Sequence, residues 1–273
     1  MNAVIEIACP AKVNLFLSVG PPDDSGMHPI RTVFQAISLF DTLRIERAPG
    51  RTAIEFEDEA VPEDNTLTKT LRLLAEVAEL PPLHLTVIKR IPSEAGLGGA
   101  SSDAAGLLRA VPLLTRSRAS EFELSEIARA VGADVPFFLV GGRAKAEGYG
   151  ERLTPLEDPI PFWLVVAQPE ARCSTREAYA RLDEIQRSWR EFPLADDLHN
   201  DFELVAPEES LALKQRLLDL NATEALLCGS GSAVFGIFPD EPSAERARRA
   251  VAPEVGGKAW VCRSLTRMES LSL

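Results

Sequence analysis

The chain has 273 residues, 45% of them hydrophobic and 26% charged, a balance that supports one large domain or two packed ones and argues against a disordered or fibrous protein. Twenty-nine Lys and Arg stand against 41 Asp and Glu, a formal net charge of −12; such a surface repels polyanions, and no local basic patch offsets it, so nucleic acid is not the expected partner. The four cysteines (Cys9, Cys173, Cys228, Cys262) are far apart, and the three histidines (His28, His84, His199) lack metal-ligand spacing, which suggests neither a disulfide framework nor a His-built metal site and fits a reducing, cytoplasmic setting. The longest apolar runs, 135–140 and 162–167, are strand-sized, and Glu6 stands where a signal peptide would be basic, so neither a membrane span nor a leader is expected.

In chain order, strands are expected at 3–8, 13–19, 31–39 and 43–46, with a Pro-Pro-Asp-Asp-Ser-Gly turn cluster at 21–26. Leu67, Leu71, Leu74, Val77 and Ala78 fall on one stripe and predict a helix over 66–79. A strand at 84–89 follows, then a glycine-rich segment, a helix from Ser101 or Ser102 to about Ala110 that stops ahead of Pro112, and a helix at 122–131 capped by Ser120. Three prolines and a charged, turn-rich composition between Tyr149 and Pro161 mark a domain boundary, giving segments 1–155 and 156–273. The second segment reads as strand 162–167, helix 175–190 with a Ser174/Glu177 capping box, helix 208–220, strand 225–228, strand 233–238, helix 242–251 and strand 258–263. That mixed order points to an α+β fold and away from a doubly wound parallel sheet.

The strongest local signal is Pro92-Ser93-Glu94-Ala95-Gly96-Leu97-Gly98-Gly99-Ala100-Ser101-Ser102-Asp103-Ala104-Ala105, between a strand and a helix. Its glycines admit close backbone approach, and the free N–H groups of a helix start attract an anion; a tight turn with a Ser or Asp cap is the plainer alternative. It is neither a Walker loop nor a dinucleotide fingerprint, because Ser101 takes the last glycine position. A second glycine turn, Gly229-Ser230-Gly231-Ser232, joins two strands, and by itself reads as a hairpin. The two loops together suggest a nucleotide or phosphorylated substrate in a cleft. Lys12 lies in an apolar strand of a chain with 23 Arg and six Lys; an ammonium there is costly unless paired or used, or else it snorkels at a strand edge. Asp134, between Gly132-Ala133 and an apolar run, either has a cationic or hydrogen-bonding partner or shapes a turn.

These segments, with Pro-Ala-Lys-Val-Asn-Leu at 10–15, Gly26-Met27-His28, Glu63-Asp64-Asn65, Gly132-Ala133-Asp134-Val135-Pro136, Ala146-Glu147-Gly148, Asn200-Asp201-Phe202-Glu203 and Gly229-Ser230-Gly231, resemble the GHMP kinase superfamily, which phosphorylates small-molecule alcohols with ATP. Their order resembles most the branch acting on the 2-hydroxyl of a cytidine-diphosphate-linked methylerythritol in the non-mevalonate isoprenoid route. The resemblance implies a two-domain fold, with a ribosomal protein S5 domain 2-like N-terminal domain, a ferredoxin-like C-terminal domain and the active site between them. It implies Asp134 as the base with Lys12 beside it. Glu94, Ala95, Gly96, Leu97, Gly98, Gly99, Ala100, Ser101, Ser102, Asp103 and Ala104 would hold the ATP phosphates, with Asn65 near the adenine. Asn14, His28 and Tyr179 would face the small-molecule substrate. Mg²⁺ is expected on ATP, near Ser101 or Ser102, without a dedicated protein metal site. Two departures stand out: Met27 replaces the family's tyrosine, and Ala100 the third glycine of its run. Another GHMP kinase, acting on homoserine, mevalonate or a sugar, and a non-enzymatic sensor on the same fold are the alternatives; the pattern sets no oligomeric state.

Overall fold

The computed structural model describes residues 4–57, 62–114, 119–193 and 197–272. Two long strands, β1 (Ile5–Val19) and β2 (Ile30–Arg47), form an antiparallel pair. After them come β3 (Ala53–Glu57), α1 (Thr66–Val77), β4 (Leu83–Ile88), α2 (Gly99–Leu114), α3 (Glu121–Val131), α4 (Val135–Val140), β5 (Arg143–Glu147) and β6 (Arg152–Pro155). The chain continues through β7 (Trp163–Ala167), α5 (Thr175–Asp183), β8 (His199–Asn200), α6 (Glu208–Asp219), β9 (Glu224–Leu227), β10 (Val234–Phe238), α7 (Glu241–Val251), β11 (Ala259–Arg263) and α8 (Arg267–Leu271). One sheet has the order β3-β4-β2-β1-β8, with β5 on β2 and β6 on β5; the other is β11-β7-β10-β9. β8 comes from the second segment and pairs in parallel with β1, so the first sheet draws strands from both sides of position 155.

Each of the first two strands had been expected as two pieces. The pieces join because the ladder shifts register between Pro10 and Ala11 and again between Asn14 and Phe16. Such irregularities bend a strand and re-aim its side chains, and they also accommodate a proline that donates no ladder bond. Before the first shift, Ile7 and Cys9 face the helical core; after it, Ala11, Val13 and Leu15 face the second sheet. Lys12 and Asn14 thereby point to the helical side, opposite Ala36 and Phe34. Three cores result: helices α1 to α4 on the first sheet, helices α5 to α7 on the second, and a layer between the sheets where Ala11, Val13 and Ile37 meet Leu164, Val166, Phe235 and Cys262.

Other expectations need correction. The strand-sized run 135–140 is helix α4, opened by Pro136 in its first turn, a position where proline's missing N–H costs nothing. α2 starts at Gly99 and runs through Pro112 to Leu114; the proline sits in the last turn, where the helix gives up one backbone bond instead of stopping. α5 ends at Asp183, well short of residue 190, and Arg187 then donates to the carbonyls of Leu182 and Val19, turning the chain back toward β1. Ser174 accepts from the amide of Glu177 at 3.5 Å, the forward half of the expected capping box. β3, β5, β6, β8 and α8 had no sequence signal strong enough to name them, and β6 lies inside the stretch read as a boundary.

Phe235 is fully buried in the layer between the sheets. Phe235→Ala is expected to cost about 3–5 kcal/mol, read as a lower urea midpoint with an unchanged m value.

Candidate active site

Lys12 is almost fully buried, and its Nζ faces Asp134 Oδ2 at 3.5 Å, Asn14 Oδ1 at 2.8 Å and the Phe34 ring, whose centroid is 5.3 Å away. Asn14 is held in turn, donating to Thr32 Oγ1 at 2.8 Å, while Thr32 donates to the Phe16 carbonyl at 2.6 Å. This chain fixes the Asn14 amide so that its oxygen faces the ammonium. Asp134 stands at the N-terminus of α4 but turns its carboxylate to Lys12 instead of capping the helix, and it is 31% exposed. A buried cation thus orients a carboxylate that still reaches solvent. That arrangement suits a group that takes a proton from a bound hydroxyl.

The phosphate-loop candidate lies beside this pair. The Lys12 amide donates to the Leu97 carbonyl at 3.0 Å, tying the loop to β1. Gly96 has φ +76°, and a Cβ there would sit 1.9 Å from the Cys228 carbonyl oxygen; no other residue fits without moving the backbone. The second glycine turn therefore packs against the first loop. Asn200 secures it, donating to the carbonyls of Leu227 and Gly229 at 2.9 and 2.8 Å. A cleft of about 360 Å³ opens along the loop, lined by 92–101 and Asp103 and walled by Phe56, Asn65 and Lys89, within the range of ligand pockets.

Not every expected loop residue faces the cleft. Ser102 and Ala104 are buried and do not line it, and Ser102 Oγ has no hydrogen-bond partner among the described residues. Ala100 lies within α2, where alanine is well suited, so its replacement of glycine is easily accommodated. Glu94 holds φ +55°, a left-handed conformation that disfavours side chains, and its carboxylate meets Arg172 at 3.2 Å. Asn65 borders the cleft, but its side chain is spent on α1, accepting from the amides of Leu67 and Thr68 and donating to the Pro62 carbonyl. Behind the loop, Lys89 binds the buried carboxylates of Asp41 and Asp103. Burial pushes the Asp103 carboxyl up to about 7, with Lys89 opposing and Asp41 adding to the rise.

On the far side, His28 stacks on Tyr179 with centroids 4.9 Å apart and a 30° tilt, and Tyr179 meets Phe202 edge-on. His28 Nδ1 lies 3.0 Å from the Gly20 carbonyl and Nε2 3.4 Å from Asp183. The Tyr179 hydroxyl is pushed up to about 12 by burial and by the charge of Asp134, which puts this aromatic group within electrostatic reach of the Lys12–Asp134 pair. Met27 is half exposed. Its loop is held by Asp23, which accepts from the Ser25 and Met27 amides and from Tyr149 Oη at 2.5 Å. Not singled out from the sequence are Tyr149, Thr32 and Asp41, whose partners are remote in the chain, and Asp23, which joins its own turn to Tyr149.

Residues 65–142 match the GHMP kinases N terminal domain and 182–258 the GHMP kinases C terminal model. A 4-diphosphocytidyl-2-C-methyl-D-erythritol kinase of Solibacter usitatus is 38% identical over 260 residues, covering 87% of this chain and 82% of that protein. The one from Symbiobacterium thermophilum is 35% identical over 282 residues, covering 96% and 100%. The chain belongs to the 4-diphosphocytidyl-2-C-methyl-D-erythritol kinase family of GHMP kinases. A crystal structure of a 4-(cytidine 5'-diphospho)-2C-methyl-D-erythritol kinase superposes with a TM-score of 0.82 at 33% identity, covering 95% of this chain and 99% of the other. A homoserine kinase from Cytophaga hutchinsonii shares the GHMP fold alone, with a TM-score of 0.71 at 17% identity over 96% of this chain and 95% of the other. The two sheets with their helices are thus the two-domain α+β GHMP kinase architecture, as expected.

Asp103 yields a pH test. The folded protein keeps its proton to about pH 7, whereas the unfolded chain releases it near 3.8, so this group's contribution to stability is lost as pH rises through that window. Asp103→Asn removes the titration, and its melting temperature relative to the unmodified protein is expected to rise from pH 4.5 to 7.5. A constant difference across thermal melts in that range contradicts the assignment.

Proposed function

We propose that this GHMP kinase transfers the γ-phosphoryl group of ATP to the tertiary 2-hydroxyl of 4-diphosphocytidyl-2-C-methyl-D-erythritol, a step of the non-mevalonate isoprenoid precursor route. The observation that carries this reading is the Lys12–Asp134 pair at 3.5 Å, set between the glycine-lined cleft and the His28–Tyr179 stack. The relatives bearing that name, which align along nearly the whole chain, support it.

Phosphoryl transfer passes through a loose transition state, so the protein mainly positions the reactants and stabilises charge. The acceptor oxygen forms its bond to the γ-phosphorus as the bond to the bridging oxygen breaks and ADP departs. A carboxylate is a weak base for a free alcohol. The proton therefore passes to Asp134 late, as the new oxygen–phosphorus bond makes the hydroxyl acidic. Lys12 holds Asp134 in place and favours the negative charge that gathers on the transferring group. The loop amides and the start of α2 receive the phosphates. Mg²⁺ carried on ATP would supply further charge neutralisation; Ser101, in the cleft wall, is the hydroxyl at hand. Among the described residues no group of three His, Cys, Asp or Glu is placed to hold a metal by itself.

The acceptor side rests on aromatic contact. His28 and Tyr179 offer an aromatic surface for a cytosine, and exposed Met27 contributes an apolar edge where the family has a tyrosine. All four cysteines are free, and no helix among the described residues is long and apolar enough to cross a membrane; we place the enzyme in the cytoplasm on these grounds.

Asp134→Asn is expected to lower kcat by roughly 10²–10⁴-fold with much smaller changes in KM, measured by ADP release with 4-diphosphocytidyl-2-C-methyl-D-erythritol; full activity in that variant removes the base assignment. Tyr179→Ala is expected to raise KM for the cytidyl substrate by roughly 5–150-fold, the worth of one base–aromatic stack, while KM for ATP stays put. Preferred turnover of homoserine or mevalonate in the same assay would replace the acceptor.

A further inference from the structure

Asp41 is fully buried on β2, opposite Cys9 and just ahead of the register shift. Both of its oxygens are used. Oδ1 accepts from the backbone amides of Arg90 and Ile91 at 2.6 and 2.8 Å, and Oδ2 from Lys89 Nζ at 2.5 Å. The same ammonium donates to Asp103 Oδ2 at 2.9 Å, in the first turns of α2. Lys89, Ile91 and Asp103 all line the nucleotide cleft. A Cβ on Gly99 would come within 3.3 Å of Asp41 Oδ2, so the helix start rests directly on this carboxylate.

We propose that Asp41 is a positioning residue for ATP, gripping the phosphate loop at both ends: directly at its beginning, and through Lys89 and Asp103 where it becomes α2. The loop between those anchors contains Gly96, Gly98 and Gly99 and has little stiffness of its own. Donors that stabilise charge in a transition state work only when held in place before the reactants arrive. The bonds of Asp41 supply that constraint from below, out of contact with the nucleotide. Removing them frees two amides and leaves the Lys89–Asp103 link without its anchor on the sheet. The acceptor-side residues His28 and Tyr179 are held by other partners and do not depend on this grip.

This inference rests on the cleft being the ATP site, and the test separates the two. Binding of a non-hydrolysable ATP analogue is measured by calorimetry, alongside KM for ATP and for the cytidyl substrate. Asp41→Asn is expected to raise the analogue Kd and KM for ATP by about tenfold or more, with KM for the acceptor within about twofold. Asp103→Asn, which spares the amide bonds, gives a smaller rise of about two- to fivefold. The double variant is expected to be no worse than Asp41→Asn, because the residues act as one unit. A folded Asp41→Asn protein that binds the analogue as the unmodified protein does, or that loses both substrates equally, overturns the proposal. If Asp41→Asn does not fold, Lys89→Met decides: a rise in KM for ATP alone supports the grip, and an unchanged KM for ATP rejects it. An unmodified protein that fails to bind the analogue rejects the reading of the cleft itself.

Discussion

The contact between the two glycine turns governs the site. Gly96 meets the Cys228 carbonyl so closely that no side chain fits between them, and the bond from the Lys12 amide to Leu97 ties the same loop to β1. Each of those anchors belongs to a different sheet or strand, and the apolar layer beneath them, from Ala11 and Val13 to Phe235 and Cys262, locks the sheets together. A cleft built this way inherits the rigidity of two cores. The glycine loop is free of side-chain bulk along the cleft, yet it is pinned on both flanks by hydrogen bonds and by packing.

Charge is distributed in the same economical way. The protein is strongly acidic overall, and two of its six lysines stand at the site, buried Lys12 facing one carboxylate and part-buried Lys89 facing two. Lys12 meets a carboxylate that remains accessible, whereas Lys89 meets two that are not. The physical difference is consequential: an ion pair whose carboxylate reaches solvent can exchange a proton with a bound reactant, while one whose carboxylates are buried resists rearrangement because breaking it strands a charge in low dielectric. One lysine thus faces an open carboxylate and the other two closed ones.

Much of this was legible in the residues. Amphipathic helices such as α1 and α3 announce themselves by period and caps, and the Lys12, Asp134 and glycine-loop segments carry local signatures that the structure brings together. The fold class could be read from element order. What could not be read are features set by distant partners. The continuity of β1 depends on where β2 shifts register, which no local pattern encodes. α4 is a six-residue apolar run whose type is decided by packing on α2 and α3, since helix and strand are indistinguishable at that length. Asn65, placed near the adenine by the family resemblance, borders the cleft, and its part in capping α1 shows only in the folded chain; Asp41 carried no signal because its three partners lie about fifty residues further along.

The parallel pairing of β8 with β1 has a consequence for synthesis. Ser18 and the Val19 amide find their acceptor, Asp201, 183 and 182 residues later, and the apolar face of Ala11, Val13 and Leu15 packs with Leu164, Val166, Leu226 and Phe235 of the second sheet. A ribosome delivers β1 first, so the nascent chain carries an open strand edge and an uncovered apolar stripe until most of the polypeptide has emerged. Contacts of such long sequence separation form slowly, and an unpaired edge is a template for association with other chains. The same strand that aims Lys12 at Asp134 is therefore the segment most in need of protection while the protein is being made.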